Sequence, residues 1–299
     1  MSNFEQKTWL EVALNGPWTR SRQPCIPIAV KEIIEEGIQC VKAGASIVHV
    51  HAYDEATGQQ TESPEIYARI IEGIRTKVDA IVYPTIPTGG MEGRSGADDI
   101  EARFAHVEAL AKLGLLEWAA IDPGSVNISL YDDVRDDKPG FVYLNREALV
   151  RGGLRLARQY GIHPSFAIYE PGFARLGASL HWRESCPAPV YRFMFSSGFT
   201  FSFPPEDYGV TAYLNLLDQV APGARWMIAG LQVNILPLIP RAVAEGGHIR
   251  VGLEDALWGC EESNLQLVEK AAKTISTIGG ELATAAEVRM ALSPEDHVQ

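Results

Sequence analysis

The run Ile47-Val48-His49-Val50-His51 is the stretch of this sequence best suited to chemistry. Its β-branched residues mark a strand, in which residues i and i+2 project from one face. His49 and His51 therefore point together. Each imidazole offers one nitrogen lone pair, so the pair suits a divalent metal. Two buried histidines bonded to carbonyls would give the same pattern. A second segment, Gly246-Gly247-His248-Ile249-Arg250-Val251-Gly252-Leu253-Glu254-Asp255, runs through another strand and past its end. It sets Arg250, Glu254 and Asp255 close to one another. A carboxylate with two histidines is a common catalytic zinc set that leaves a position open for substrate or water. Glu254-Asp255 would also suit a helix start, where acidic side chains meet the favourable end of the dipole. His248 begins the strand at its far end and is expected to be structural.

For these two segments to meet, their strand ends must share one rim. Short apolar runs at 9–14, 46–50, 80–86, 118–121, 166–169, 190–195, 226–229 and 249–252 read as eight strands. Between them lie amphipathic stretches. Ile33, Ile34, Ile38, Cys40 and Val41 form one helical stripe and Ile66, Ile70, Ile71 and Ile74 another. Further helices are expected at 100–113, 148–160, from about 173, and at 213–220, 238–245 and 265–278, with an extra one at 285–292. Strand–helix alternation implies a parallel sheet, and eight units imply closure into a TIM (β/α)₈ barrel with short extra helices. Active sites of such barrels lie at the C-terminal rim of the strands, where His49, His51 and Glu254 fall. The Asp-rich stretch 131–141 reads as a solvated loop. Residues 1–299 are expected to form one barrel domain, since barrels of this kind commonly take ~250 residues.

A formal net charge of −12 argues against nucleic-acid and anionic-membrane partners, which need a basic surface. Hydrophobic residues make up 46% of the chain, enough for a large core. Cys25, Cys40, Cys186 and Cys260 are scattered and read as reduced thiols of a cytoplasmic protein. The first residues lack a basic segment followed by an apolar one, and no apolar run approaches the ~18 residues of a membrane span.

Taken in order, Gly44-Ala45 before His49-Val50-His51, Thr88-Gly89-Gly90, Tyr169-Glu170, the block 247–255 and Leu282-Ala283-Thr284 resemble the β-keto acid cleavage enzyme family along essentially the whole chain. The block 247–255 is the most specific piece. The resemblance implies a zinc-bearing TIM barrel, one Zn²⁺ per subunit, that consumes a β-keto acid with acetyl-CoA as co-substrate. The products would be acetoacetate and a new CoA thioester. It places the zinc ligands at His49, His51 and Glu254 and a catalytic pair at Arg250 and Asp255. It also suggests a homotetramer. A β-keto acid offers a ketone and a carboxylate to one metal, which would lower the energy of the enolate at C2. Asp255 would take the C2 proton, and Arg250 would hold Asp255 and offset the developing charge.

The chain departs from the family pattern as a divergent member. Trp18 and Ala167 stand where carboxylates would hold a substrate ammonium, which argues against an amino-bearing substrate. An apolar substrate, or a trimethylammonium group against the Trp18 ring, fits instead. Pro87 and Ala120 replace hydroxyl residues, Tyr53 replaces an arginine, and Gly230-Leu231-Gln232-Val233 lacks the usual Gly-Arg. Expected substrate contacts are Thr88, Gly89, Gly90, Trp18, Tyr53, Ser125 and Asn127. Glu170 is expected to bond to a metal-ligand histidine or to substrate. Two other functions remain open: a metal-dependent lyase or hydrolase that needs no CoA, motivated by the missing Gly-Arg, and a non-catalytic ligand-binding barrel.

Overall fold

A computed structural model describes residues 7–88 and 99–293. The β-branched and aromatic runs form eight parallel strands: β1 Leu10–Ala13, β2 Ile47–Val50, β3 Ile81–Pro84, β4 Trp118–Ala120, β5 His163–Ile168, β6 Val190–Ser196, β7 Arg225–Leu231 and β8 His248–Val251. The ladder order is β3-β2-β1-β8-β7-β6-β5-β4. β3 and β4 stand side by side across the remaining seam, joined by no ladder among the described residues. This is the expected TIM barrel.

The amphipathic stretches form the outer ring: α1 Val30–Lys42, α2 Pro64–Arg75, α3 Ile100–Lys112, α4 Glu147–Tyr160, α5 Pro171–Glu184, α6 Asp207–Val220, α7 Ile239–Ala244 and α8 Asn264–Thr277. Local signals set their ends. Ser63 caps α2 through the Ile66 N–H, with Pro64 at the first helical position. Ser263 and Gln266 close a reciprocal capping box on α8. α2 buries Tyr67, Ile70, Ile71 and Ile74, a stripe at helical spacing that faces the sheet. A last helix, Ala285–Leu292, follows a parallel bridge between Thr8 and Leu282. Among the described residues no helix is long and apolar enough to cross a membrane.

Two additions decorate the C-terminal rim. One hairpin, Ala52–Asp54 with Gln59–Thr61, follows β2, and another, Val126–Ile128 with Phe141–Tyr143, follows β4. The second corrects the expectation of a solvated loop at 131–141. Tyr131–Arg135 is a short helix and Phe141 belongs to a strand. Asp132, Asp136 and Asp137 there are exposed, while Ile128 and Phe141 on either side turn inward to the barrel mouth.

Register pairing shows which residues share the barrel interior. Ala13 pairs with His49 and His49 with Tyr83. Glu11 pairs with Arg250, and Arg192 with Ala167. At the opposite end His248 accepts the Trp9 N–H on Nδ1 at 3.1 Å, and the two rings stack 3.9 Å apart. Its role there is structural.

Candidate active site

The alternation of β2 turns His49 and His51 to one side, and backbone contacts then fix their position. Asn15 donates from Nδ2 to the His51 carbonyl at 2.9 Å and accepts the His51 N–H on Oδ1, also at 2.9 Å. The loop after β1 is thus bolted to the end of β2. Glu254 arrives from the other side of β1, its N–H donating to the Ala13 carbonyl at 3.2 Å. Gly252 makes this crossing possible: at φ +138° its missing Cβ would lie 2.1 Å from the Ala13 oxygen. Asn264 secures the same turn, accepting from the Leu253 N–H at 2.8 Å and donating to the Leu14 carbonyl at 2.7 Å.

The three predicted ligands converge. His49 Nε2 and His51 Nε2 each lie 3.5 Å from Glu254 Oε2. One ligand atom from each of the three lies within 4.8 Å of the others, and all three residues are buried. Glu254-Asp255 begins no helix; α8 starts later, capped by Ser263. Nor are the histidines spent on carbonyls. His51 Nδ1 meets Gln60 Oε1 at 3.1 Å on the hairpin after β2. An Nδ1–H donated there leaves the Nε2 lone pair directed at the cluster. His51 Nε2 and Glu254 Oε2 are buried with no hydrogen-bond partner. Two orphaned buried acceptors facing one point fit a divalent cation. Burial holds His49 well below its ordinary range, outweighing the nearby Glu254 charge, so its imidazole is neutral and can ligate. Burial opposes ionisation of Glu254, but the Arg250 guanidinium outweighs it and holds the carboxyl well below the usual carboxylate range.

Arg250 organises the acids around this cluster. It binds Asp255 bidentately, at 2.9 Å from Nε and 2.8 Å from Nη2. It also reaches Glu254 Oε1 at 3.0 Å and Glu11 Oε1 at 3.1 Å. Glu11 in turn accepts from the Tyr83 hydroxyl at 2.7 Å. Burial raises the Asp255 carboxyl to about 6 against the pull of Arg250. Asp255 is therefore an ionised carboxylate at neutral pH that can still accept a proton.

Above the cluster lies a cavity of about 500 Å³. His49, His51 and Glu254 line it, with apolar walls from Trp18, Ile86, Ile128, Phe141, Phe199 and Leu231. Trp18 stands against the cluster, donating from Nε1 to the Glu254 carbonyl at 2.7 Å. Thr88 also lines the cavity, while Gly89 and Gly90 lie outside the described residues. Asp255 and Arg250 are absent from the wall; they stand behind Glu254 as its support.

Four expected substrate contacts are placed elsewhere. Tyr53 donates its hydroxyl to the Gly16 carbonyl, and to that of Trp18 at 3.0 Å, so it braces the loop after β1 from behind. Asn127 is exposed, because its neighbour Ile128 takes the inward face of the hairpin and alternation turns Asn127 out. Ser125 accepts the Asn145 N–H at 2.8 Å and is exposed. Glu170 meets neither a histidine nor the cavity. It precedes α5 and accepts from the Ser202 N–H at 3.3 Å, so the support of His51 falls to Gln60 instead.

Several wall residues escape a reading of the sequence. Asp122 lines the cavity and accepts from the Tyr143 hydroxyl at 2.7 Å and the Ala167 N–H at 3.1 Å. Arg192, Tyr143 and Tyr169 share the wall, and Arg22 reaches it with its guanidinium 4.7 Å above the Trp258 ring. The only signal for Arg192 is a lone cation inside an apolar strand.

The chain is similar to known proteins along most of its length. The chain is 26% identical over 280 residues to 3-keto-5-aminohexanoate cleavage enzyme of Fusobacterium nucleatum, covering 92% of this chain and 93% of that protein. It is 27% identical to 3-dehydrocarnitine:acetyl-CoA trimethylamine transferase of Rhizobium meliloti, over 97% of each chain. It is also 27% identical to 3-oxoadipate:acetyl-CoA acetyltransferase of Cupriavidus necator, covering 95% and 93% respectively. Among solved structures, a ternary complex of ObcA with a C4-CoA adduct and oxalate shares the fold. Its TM-score is 0.69 at 17% identity, over 90% of this chain and 67% of that one. The model of the β-keto acid cleavage enzymes matches residues 7–293, and the chain belongs to that family.

Proposed function

We propose that this chain is a zinc-dependent acyltransferase that exchanges acyl groups between a β-keto acid and acetyl-CoA. The convergence of His49, His51 and Glu254 beside the Arg250–Asp255 pair carries this reading. Zinc held by those three ligands would polarise the substrate ketone and favour loss of a C2 proton.

The residues of the chain supply the remainder. Asp255 accepts the C2 proton, with the bidentate Arg250 fixing its orientation. Asp255 is only 2% exposed, so this role requires bound substrate to reach it past Glu254. The C2 carbon then attacks the acetyl-CoA carbonyl, forming a carbon–carbon bond and releasing the CoA thiolate. The thiolate adds to the original ketone, and the old bond from C2 to that carbon breaks. Asp255 returns its proton to C2. The products are acetoacetate and a CoA thioester of the remaining acyl group. The apolar wall from Trp18 to Leu231 excludes water that would otherwise hydrolyse the thioester.

The test is a panel of β-keto acids assayed for acetoacetate with and without acetyl-CoA, using wild type and Asp255→Asn. CoA-dependent acetoacetate that Asp255→Asn lowers by ~10²-fold or more supports the reading. Turnover in CoA-free buffer would instead mark a metal-dependent lyase or hydrolase. No turnover with any member of the panel would leave a ligand-binding barrel.

A further inference from the structure

We propose that Arg192 is a substrate-binding residue that holds a carboxylate of the substrate at the wall of the cavity. This deepens the acyltransferase reading and rests on it for the identity of the substrate, but binding can be read without turnover.

Arg192 projects inward from β6, lines the cavity and is only 4% exposed. A buried guanidinium is costly to desolvate and ordinarily meets an acceptor on most of its N–H groups. Here the supply falls short. Nε is buried with no hydrogen-bond partner. Nη2 has one marginal contact, 3.5 Å from the Ser165 carbonyl. The register neighbours on either side are Ala167 on β5 and Met227 on β7, and neither side chain offers a strong acceptor. Asp122 is 3.8 Å from Nη2, beyond hydrogen-bond reach, and its oxygens are taken by Tyr143 and Ala167. The Tyr83 hydroxyl donates to Glu11 and makes no hydrogen bond to Arg192 among the described residues.

Arg250 shows the contrast. The same residue type in the same interior is saturated by Asp255, Glu254 and Glu11. Arg192 is left underpartnered at the cavity wall, and its register neighbour Ala167 presents only a methyl group. A planar fork in the wall of a cavity matches a carboxylate, which accepts two parallel N–H bonds. The apolar walls would then pack on the carbon chain. The carboxylate has two possible sources: the one every β-keto acid carries, or a second one at the far end of a dicarboxylic β-keto acid.

Binding is measured by calorimetric titration of the purified protein with butyrate and with butyramide, a neutral analogue of similar shape. Wild type should prefer butyrate, and Arg192→Met should cut that preference by ~10- to 100-fold, as expected for a hydrogen-bonded buried charge. A general packing defect would weaken both ligands alike and leave the ratio unchanged. Arg192→Gln serves where Arg192→Met fails to fold, since it keeps a donor for the Ser165 carbonyl but carries no charge. No butyrate preference in wild type, or a preference that survives loss of the charge, overturns the assignment. Turnover with acetyl-CoA separates the sources. Equal losses of kcat/KM for 3-oxohexanoate and 3-oxoadipate identify the common carboxylate. A loss confined to 3-oxoadipate identifies the second. If neither compound turns over while the butyrate preference still follows Arg192, the carboxylate site stands and the acyltransferase reading fails.

Discussion

Arg250→Met removes the one cation that three buried carboxylates share. Its guanidinium, 1% exposed, lies 2.8 Å from Asp255, 3.0 Å from Glu254 and 3.1 Å from Glu11. Methionine replaces much of its volume, so the loss is mainly electrostatic. Breaking a buried pair by removing one partner costs about 3–5 kcal/mol, because the other charge stays buried and uncompensated. The acids can escape part of that cost by taking up protons. Asp255, already raised to about 6 with Arg250 present, would rise further. A carboxyl whose folded value lies above its unfolded value of ~4 binds protons preferentially in the folded state. Its stabilising effect is complete at low pH and is lost as pH climbs through the raised folded value. The Asp255 part of the deficit should therefore be smallest near pH 5 and grow with pH, the Glu254 part being present at both, so that the total is larger at pH 8, where it reaches about 3–5 kcal/mol. Urea unfolding followed by circular dichroism, with chelator present in both samples, measures this. Lys31→Met is the control, since the Lys31–Glu35 pair is 3.7 Å apart and exposed, and its unfolding midpoint should not move. A variant within about 1 kcal/mol of wild type at pH 8, or a deficit that grows toward pH 5, would refute the account of Arg250 as the shared counter-ion.

Three further outcomes are expected. Zinc at ~100 times its dissociation constant should add about 2.7 kcal/mol and raise the melting midpoint by roughly 4 °C over chelator-treated protein; Glu254→Gln should abolish the rise. Gln60→Leu should weaken zinc ~10- to 100-fold in a competitive chelator titration while the apo protein melts normally, because Gln60 orients His51 and touches no metal itself. Gly252→Ala should cost at least ~1–3 kcal/mol in denaturant unfolding and also weaken metal binding. It forces a side chain onto φ +138° and against the Ala13 carbonyl, the acceptor of the Glu254 N–H.

The sequence alone determined the strand–helix alternation and which side chains share a face, because both follow from short-range periodicity, whereas the meeting of His49 and His51 with Glu254 was decided by β1 pairing with both β2 and β8. Strand runs and helical stripes alternate visibly, and period two puts His49 and His51 on one face whatever the rest of the chain does. Arg250, Glu254 and Asp255 sit within six consecutive residues, so their proximity needed no long-range folding either. What only the tertiary structure decided is which polar groups reach the cavity. Tyr53, Ser125, Asn127 and Glu170 sit near strand ends in sequence, yet hairpin twist and helix entry turn them to other partners. Gln60 reaches His51 only because a hairpin folds back over β2. Asp122 follows β4 and Arg192 lies on β6, so they become cavity neighbours only when the sheet closes. Periodicity fixes the direction of a side chain from its own strand. Depth in the barrel, and the identity of the group facing it, depend on register and closure, which are properties of all eight strands together.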